Sequence, residues 1–114
     1  MIETRPYRYC FGEFELVPCD RALRANAHDV RLSARAFDVL VELVARHGQL
    51  VTKSHLLQTV WSGLVVEENN LQVQIAAIRR AIGRQGIATV PRYGYRFTMP
   101  VSRILPAGSV HASE

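Results

Sequence analysis

Residues 65–83, VVEENNLQVQIAAIRRAIG, constrain this chain more than any other stretch, because they hold an apolar stripe with a full helical period. Leu71, Ile75, Ile78 and Ile82 recur at steps of four, three and four. At ~100° per residue that spacing keeps them within a sector of about 60°. The stripe predicts a helix with one buried face, and the opposite face is the informative one. Projection puts Asn69, Val73, Ala76, Ala77 and Arg80 on the far side, Gln72 and Arg79 on one flank, and Asn70 and Gln74 on the other, with no acid past Glu68. Asn and Gln can donate to and accept from one base edge, arginine reads guanine or grips phosphate, and small residues let a helix approach closely. An amphipathic helix whose outer face meets only water has the same stripe, so the rest of the chain has to decide between the two.

Charge placement favours an anionic partner. The net charge of +4 is mild, and residues 1–32 carry five basic and five acidic side chains. Residues 66–100, by contrast, carry Arg79, Arg80, Arg84, Arg92 and Arg96 against Glu67 and Glu68. Most of the excess therefore lies on the 65–83 helix and the segment after it. With 114 residues, 48% of them hydrophobic, the chain suits one small domain with a single modest core.

No apolar run approaches the ~20 residues of a membrane span, and the N-terminus, with Glu3 and Arg5, has no signal-peptide pattern, so a cytoplasmic location is expected. Cys10 and Cys19 are expected to be free. His28, His47, His55 and His111 show no metal-ligand spacing, and no metal or cofactor is expected. Paired carboxylates, a nucleophile with a base at useful spacing, and the phosphate loops GxGxxG and GxxxxGK(S/T) are all missing from the sequence, which argues against an enzyme.

In chain order, 7–11 and 14–17 are apolar, aromatic-rich runs separated by Gly12 and Glu13, which predicts a hairpin, and 22–25 and 29–32 are strand candidates around Asn26, Ala27 and His28. Together they predict an antiparallel sheet of up to four strands with a scaffolding role. Ser33 is a predicted N-cap for a helix over 34–47, with Phe37, Leu40, Val41 and Val44 buried and Gly48 as its stop. Leu50 and Val51 form a brief extended link, and Thr52 caps a second helix over 53–61 that carries Leu56, Leu57, Val60 and Trp61 inward. Trp61 continues that stripe and is expected in the core. After Gly83, strands over 87–90 and 95–99 flank Pro91, Arg92, Tyr93 and Gly94. Three helices followed by a basic aromatic hairpin is the order of a winged helix-turn-helix. Fold class is thus α+β, with a winged helix-turn-helix over 1–100 and a flexible tail or linker over 101–114, marked by Pro106, Gly108, Ser109 and Ser113.

The text VVEENNLQVQIAAIRRAIG, followed after a short gap by IATVPRYGYRF, resembles the signature of the OmpR/PhoB-type winged-helix DNA-binding domain. This is the output domain of many bacterial response regulators and of the membrane-tethered ToxR and CadC regulators. The resemblance covers roughly residues 8–100 and includes FGEFELVP and LSARAFDVLVELVARHGQLVTKSHLLQTVW. It implies a four-stranded N-terminal sheet, three helices, a C-terminal hairpin, and double-stranded DNA as partner.

Carried over by position, the resemblance puts the recognition helix on 69–82, with Asn70, Gln74, Ala77 and Arg79 or Arg80 at the major groove or its phosphates. It gives Thr52 and Lys53 a phosphate, and Thr89, Arg92 and Tyr95 the backbone or minor groove. Free helix N-terminal amides beside a cation suit an anion independently of any resemblance. The 62–68 connection corresponds to a loop that meets RNA polymerase in some relatives, and relatives often bind tandem half-sites head to tail, which would make a homodimer on DNA.

The chain departs from its relatives at Ala76 and Ala77, where they often carry arginines, so base reading is expected to lean on Asn69, Asn70, Gln72 and Gln74. Pro91 stands where some relatives have a wing arginine, with Arg92 next to it. Arg79 and Arg80 point about 100° apart, so at most one faces a base. Arg96 lies between Tyr95 and Phe97 and has a structural ion pair as its competing role. Met1 lies only a few residues before the first strand, so no receiver domain is expected ahead of this one. The alternative function is a winged-helix module that contacts RNA polymerase or a sensor domain, with the basic face incidental.

Overall fold

A computed structural model describes residues 7–105. Glu3, Arg5, His111 and the Pro106, Gly108, Ser109 and Ser113 part of the expected tail lie outside these residues. The elements are β1 (Arg8–Phe11), β2 (Phe14–Val17), β3 (Ala22–Ala25), β4 (His28–Asp29), α1 (Ala34–Ala45), β5 (Leu50–Thr52), α2 (Lys53–Val60), α3 (Glu68–Ile82), β6 (Ile87–Val90), β7 (Gly94–Phe97) and β8 (Ser102–Ile104). The described residues form two compact units, one of 7–30 with 100–105 and the other Arg31–Met99. No helix among them is long and apolar enough to cross a membrane.

The first unit is an antiparallel sheet in the order β4-β3-β2-β1-β8. Phe11 pairs with Phe14 across Gly12 and Glu13, as the aromatic runs predict, and Gly12 takes the positive φ of 58° that this tight turn demands. Expected over 29–32, β4 is instead the two residues His28–Asp29. Asn26 and Ala27 both adopt positive φ, 52° and 71°, so the turn uses two residues and Ala25 already pairs with His28. Arg8 bonds Glu15 and Arg24 lies 3.5 Å from Asp29, which is how the charges of this region cancel.

Part of the stretch expected to be a flexible tail is a fifth strand. Residues Ser102–Ile104 pair antiparallel with Arg8–Cys10 and cover the edge of β1 that a four-stranded sheet would have left open. The Arg103 guanidinium also lies 4.5 Å from the Tyr7 ring centre. Three residues between a proline and a Pro/Gly-rich end carry no strand pattern of their own; only the open edge of β1 makes them a strand.

In the second unit, the Ser33 hydroxyl accepts from the Ala36 amide at 3.1 Å and starts α1, as its cap position predicts. The helix stops two residues early, because the His47 amide and Nδ1 both sit on the Val44 carbonyl and Gly48 turns the chain at φ 82°. Leu40, Val44, Leu56, Leu71, Ile75, Ile78 and Phe97 are all fully or almost fully buried, so most of the predicted stripes of the three helices meet in one core, whereas Val41 and Leu57, expected to join them, lie at its margin and are only half-buried. Trp61 belongs to that core; Arg35 covers its ring at 5.7 Å and donates to the Val60 carbonyl, tying the start of α1 to the end of α2.

The link at 50–52 is more than extended chain. As β5 it pairs with β7, Val51 opposite Tyr95 and Thr52 opposite Gly94, and the wing is a three-stranded sheet in the order β5-β7-β6. Gly94 lies so close to β5 that a Cβ on it would stand 2.1 Å from the Val51 carbonyl oxygen. At the wing's turn, the Tyr93 amide donates to the Val90 carbonyl and the Tyr93 carbonyl accepts from the Lys53 amide, both at 3.0 Å. The start of α2 is thereby anchored to the wing.

Candidate nucleic-acid interface

Helix α3 begins without a side-chain cap at Glu67. The Asn70 backbone amide finds its acceptor in the Glu67 carbonyl at 3.0 Å, and the Asn70 Nδ2 donates to the same carbonyl at 3.2 Å. Leu71, Ile75, Ile78 and Ile82 are buried, and Asn69, Gln72, Val73, Ala76 and Arg80 are exposed on the other side, with Val73 52% exposed at the centre of that face. This outer face offers amide donors and acceptors, two apolar side chains and a terminal cation. It can lie along a base-pair edge, with Val73 suited to a thymine methyl and Arg80 to a phosphate or guanine. Among the described residues Arg80 has no partner.

Several candidate residues are already engaged within the fold. The Gln74 amide oxygen accepts from the Ser33 hydroxyl at 3.2 Å, and Gln74 and Ala77 are only half exposed, at the edge of the buried stripe. Arg79 faces the wing: its Nε and Nη2 donate to the Ile87 carbonyl at 3.3 and 2.7 Å, and Nη2 also reaches the Thr89 hydroxyl at 3.0 Å. Lys53 is paired with Glu68 at 2.7 Å, the carboxylate being well placed in the first turn of α3. Thr52 is the N-cap of α2, its hydroxyl accepting from the His55 amide at 3.1 Å. No local sequence signal marks the Ser33 and Glu68 partnerships, because each joins residues far apart in the chain.

Tyr95 is 6% exposed, inside the wing sheet opposite Thr89 and Val51, so its ring packs within the fold. The period-2 alternation of β7 turns Tyr95 and Phe97 inward and leaves Arg96 outside. Arg92, by contrast, stands exposed at the wing tip with φ 76°, and Tyr93 beside it is also exposed. Pro91 followed by a positive φ, closed by the bond from Tyr93 to Val90, has the features of a type II turn, whose third position favours glycine. Tyr93 was not among the expected contacts, although its place at the hairpin tip was visible in the sequence.

Comparison with known proteins agrees with this geometry. The family model described as "Transcriptional regulatory protein, C terminal" matches residues 27–97. The response regulator SaeR of Staphylococcus aureus is 30% identical over 93 residues, covering 76% of this chain and 41% of that protein, so the chain spans about two-fifths of the relatives' length. The Klebsiella pneumoniae RstA DNA-binding domain, solved in complex with the RstA box, is 26% identical with a TM-score of 0.68, over 80% of this chain and 96% of that one. Thermotoga maritima DrrB, an OmpR/PhoB homolog, is 27% identical with a TM-score of 0.73, over 80% of this chain and 44% of that one. The DNA-binding domain of E. coli CadC shares the fold at 24% identity and a TM-score of 0.74, over 91% of this chain and all of that one. Three helices, a wing built on β5 and a family match over more than half the sequence have one consistent meaning: the chain belongs to the OmpR/PhoB-type winged-helix domains of bacterial transcriptional regulators.

Proposed function

We propose that this chain is a non-catalytic module that binds a specific double-stranded DNA sequence in the cytoplasm, as part of a bacterial transcriptional regulator. The observation that carries the reading is the outer face of α3, where Asn69, Gln72, Val73, Ala76 and Arg80 are exposed together with no acidic side chain among them. In this reading α3 enters the major groove, where Asn69, Gln72 and Val73 read base edges and Arg80 holds phosphate. Asn70 and Gln74 each keep one amide atom for the duplex, Oδ1 of Asn70 and Nε2 of Gln74, while the other makes its internal bond. Thr52 and Lys53 brace α2 on the backbone, Lys53 leaving Glu68 to do so, and Arg92 meets the neighbouring minor groove from the wing. Two copies on tandem half-sites is the arrangement the resemblance implies.

A selection on random duplexes defines the site, and titrations on matched and single-substituted duplexes then test the reading. Asn69→Ala and Gln72→Ala are each expected to cost on the order of 1–3 kcal/mol at particular base pairs and little elsewhere. Equal affinity of the unaltered protein for selected and scrambled duplexes would overturn it.

A second reading, contact with RNA polymerase, is favoured by the α2–α3 connection. Leu64 is 60% and Val65 100% exposed there, on a loop held by positive φ at Ser62 and Gly63. Exposed apolar side chains in a structured loop suit a protein partner. Val65→Ser is expected to lower transcription from the selected site while duplex affinity stays unchanged; an equal loss of both would remove this role.

A further inference from the structure

The sequence puts Arg79 on the helix that meets the duplex, beside Arg80, and both invite the same role. The structure separates them. Arg80 is exposed and Arg79 is half-buried, with its guanidinium spread over the Ile87 carbonyl and the Thr89 hydroxyl. Both acceptors belong to β6, which is the edge strand of the wing sheet and has β7 as its one strand neighbour. An outward carbonyl on such an edge has no ladder partner, and Arg79 supplies a charge-assisted one.

The wing is held to the helices by the pairing of β7 with β5 and by the buried Phe97, but the covalent link from α3 to β6 is short and glycine-bearing. The connection runs through Gly83, at φ 108°, and a single 3-10 turn over Arg84–Gly86. Glycine admits many conformations at little cost. A guanidinium bridging the last turns of α3 and alternate residues of β6 adds a direct side-chain tie between that helix and the wing strand that β5 does not itself pair with.

We propose that Arg79 is a positioning residue: it holds the wing at the angle from α3 that lets Arg92 reach the duplex while Asn69, Gln72 and Val73 face the bases. This rests on the duplex-binding reading above. Arg79 acts through the wing and touches no phosphate, so its removal costs no counterion release beyond what the loss of the Arg92 contact already costs.

The test combines salt-dependent titration on the selected duplex with amide hydrogen exchange in the free protein. Arg79→Ala is expected to weaken binding about tenfold and to lower the slope of log affinity against log salt by no more than Arg92→Ala does; added to Arg92→Ala, it is expected to leave that slope where Arg92→Ala alone sets it. In the Arg79→Ala background Arg92→Ala is expected to cost at least about threefold less than it does alone, because the tip is already misplaced. Thr89→Val, which removes one acceptor at an exposed site and spares the core, is expected to give the same signature at smaller size. Amides of β6 and β7 are expected to exchange faster in both single variants. A further slope reduction of about 0.9, the value of one phosphate, on adding Arg79→Ala to Arg92→Ala, together with strict additivity of the two losses, would overturn the proposal and make Arg79 a backbone contact. If the unaltered protein binds no duplex, the functional reading fails by itself, and unchanged wing exchange in Arg79→Ala would then also dispose of the positioning role.

Discussion

Replacing Gly94 by alanine is expected to destabilise the helical unit by about 3 kcal/mol or more, an overpacking effect at the upper end of its usual range. The added Cβ would lie 2.1 Å from the Val51 carbonyl oxygen and 2.8 Å from the Thr52 Cα, both backbone atoms of β5. No side chain can swing away to relieve that clash. β5 must separate from β7, and with it go the Thr52 position opposite Gly94 and the Lys53 amide's bond to the Tyr93 carbonyl, so the start of α2 is loosened as well. Thermal or urea unfolding measures the loss. A midpoint within experimental error of the unaltered protein would mean that the wing is not packed on β5 as described.

The second large effect is on binding. Arg80→Ala and Arg92→Ala are each expected to weaken affinity for every duplex by a similar factor, and each to reduce the salt slope by about 0.9. Both side chains are exposed and have no partner among the described residues, so neither change leaves a buried group unsatisfied. Stability should move by no more than about 0.5 kcal/mol for Arg80→Ala, an exposed helical site away from any special feature. Titration of both variants over a range of salt concentrations on selected and scrambled duplexes decides the matter. A loss confined to one sequence, or a slope that does not change, would show that these arginines do not hold phosphate.

Much of this molecule was legible in its sequence, and the illegible parts have a common cause. The helical stripes of α1, α2 and α3, the Ser33 and Thr52 caps, and the hairpins around Gly12 and around Pro91 all rest on periodicity or local hydrogen bonding within a few residues, which the chain displays directly. The strands β5 and β8 could not be read that way, because each is three residues long and exists through pairing with a distant partner. The same divide runs through the candidate site. Projection alone identified the exposed amides and Arg80, whereas the bonds from Arg79 to β6, from Ser33 to Gln74 and from Lys53 to Glu68 cross between elements and appear only once the elements are placed. The inward turn of the Tyr95 ring was legible as well, since its alternation with Arg96 and Phe97 displays it.

Arg92 holds φ 76° in a turn position that suits glycine, and an arginine there forfeits on the order of 1 kcal/mol of stability. Heat tolerance and partner recognition therefore pull this position in opposite directions. Lineages or laboratory libraries filtered only for thermal hardiness would drift toward glycine at residue 92, and ones filtered for occupancy of an operator would keep the arginine. The identity of one residue at the hairpin tip thus reports which of the two demands a given population of sequences has answered to.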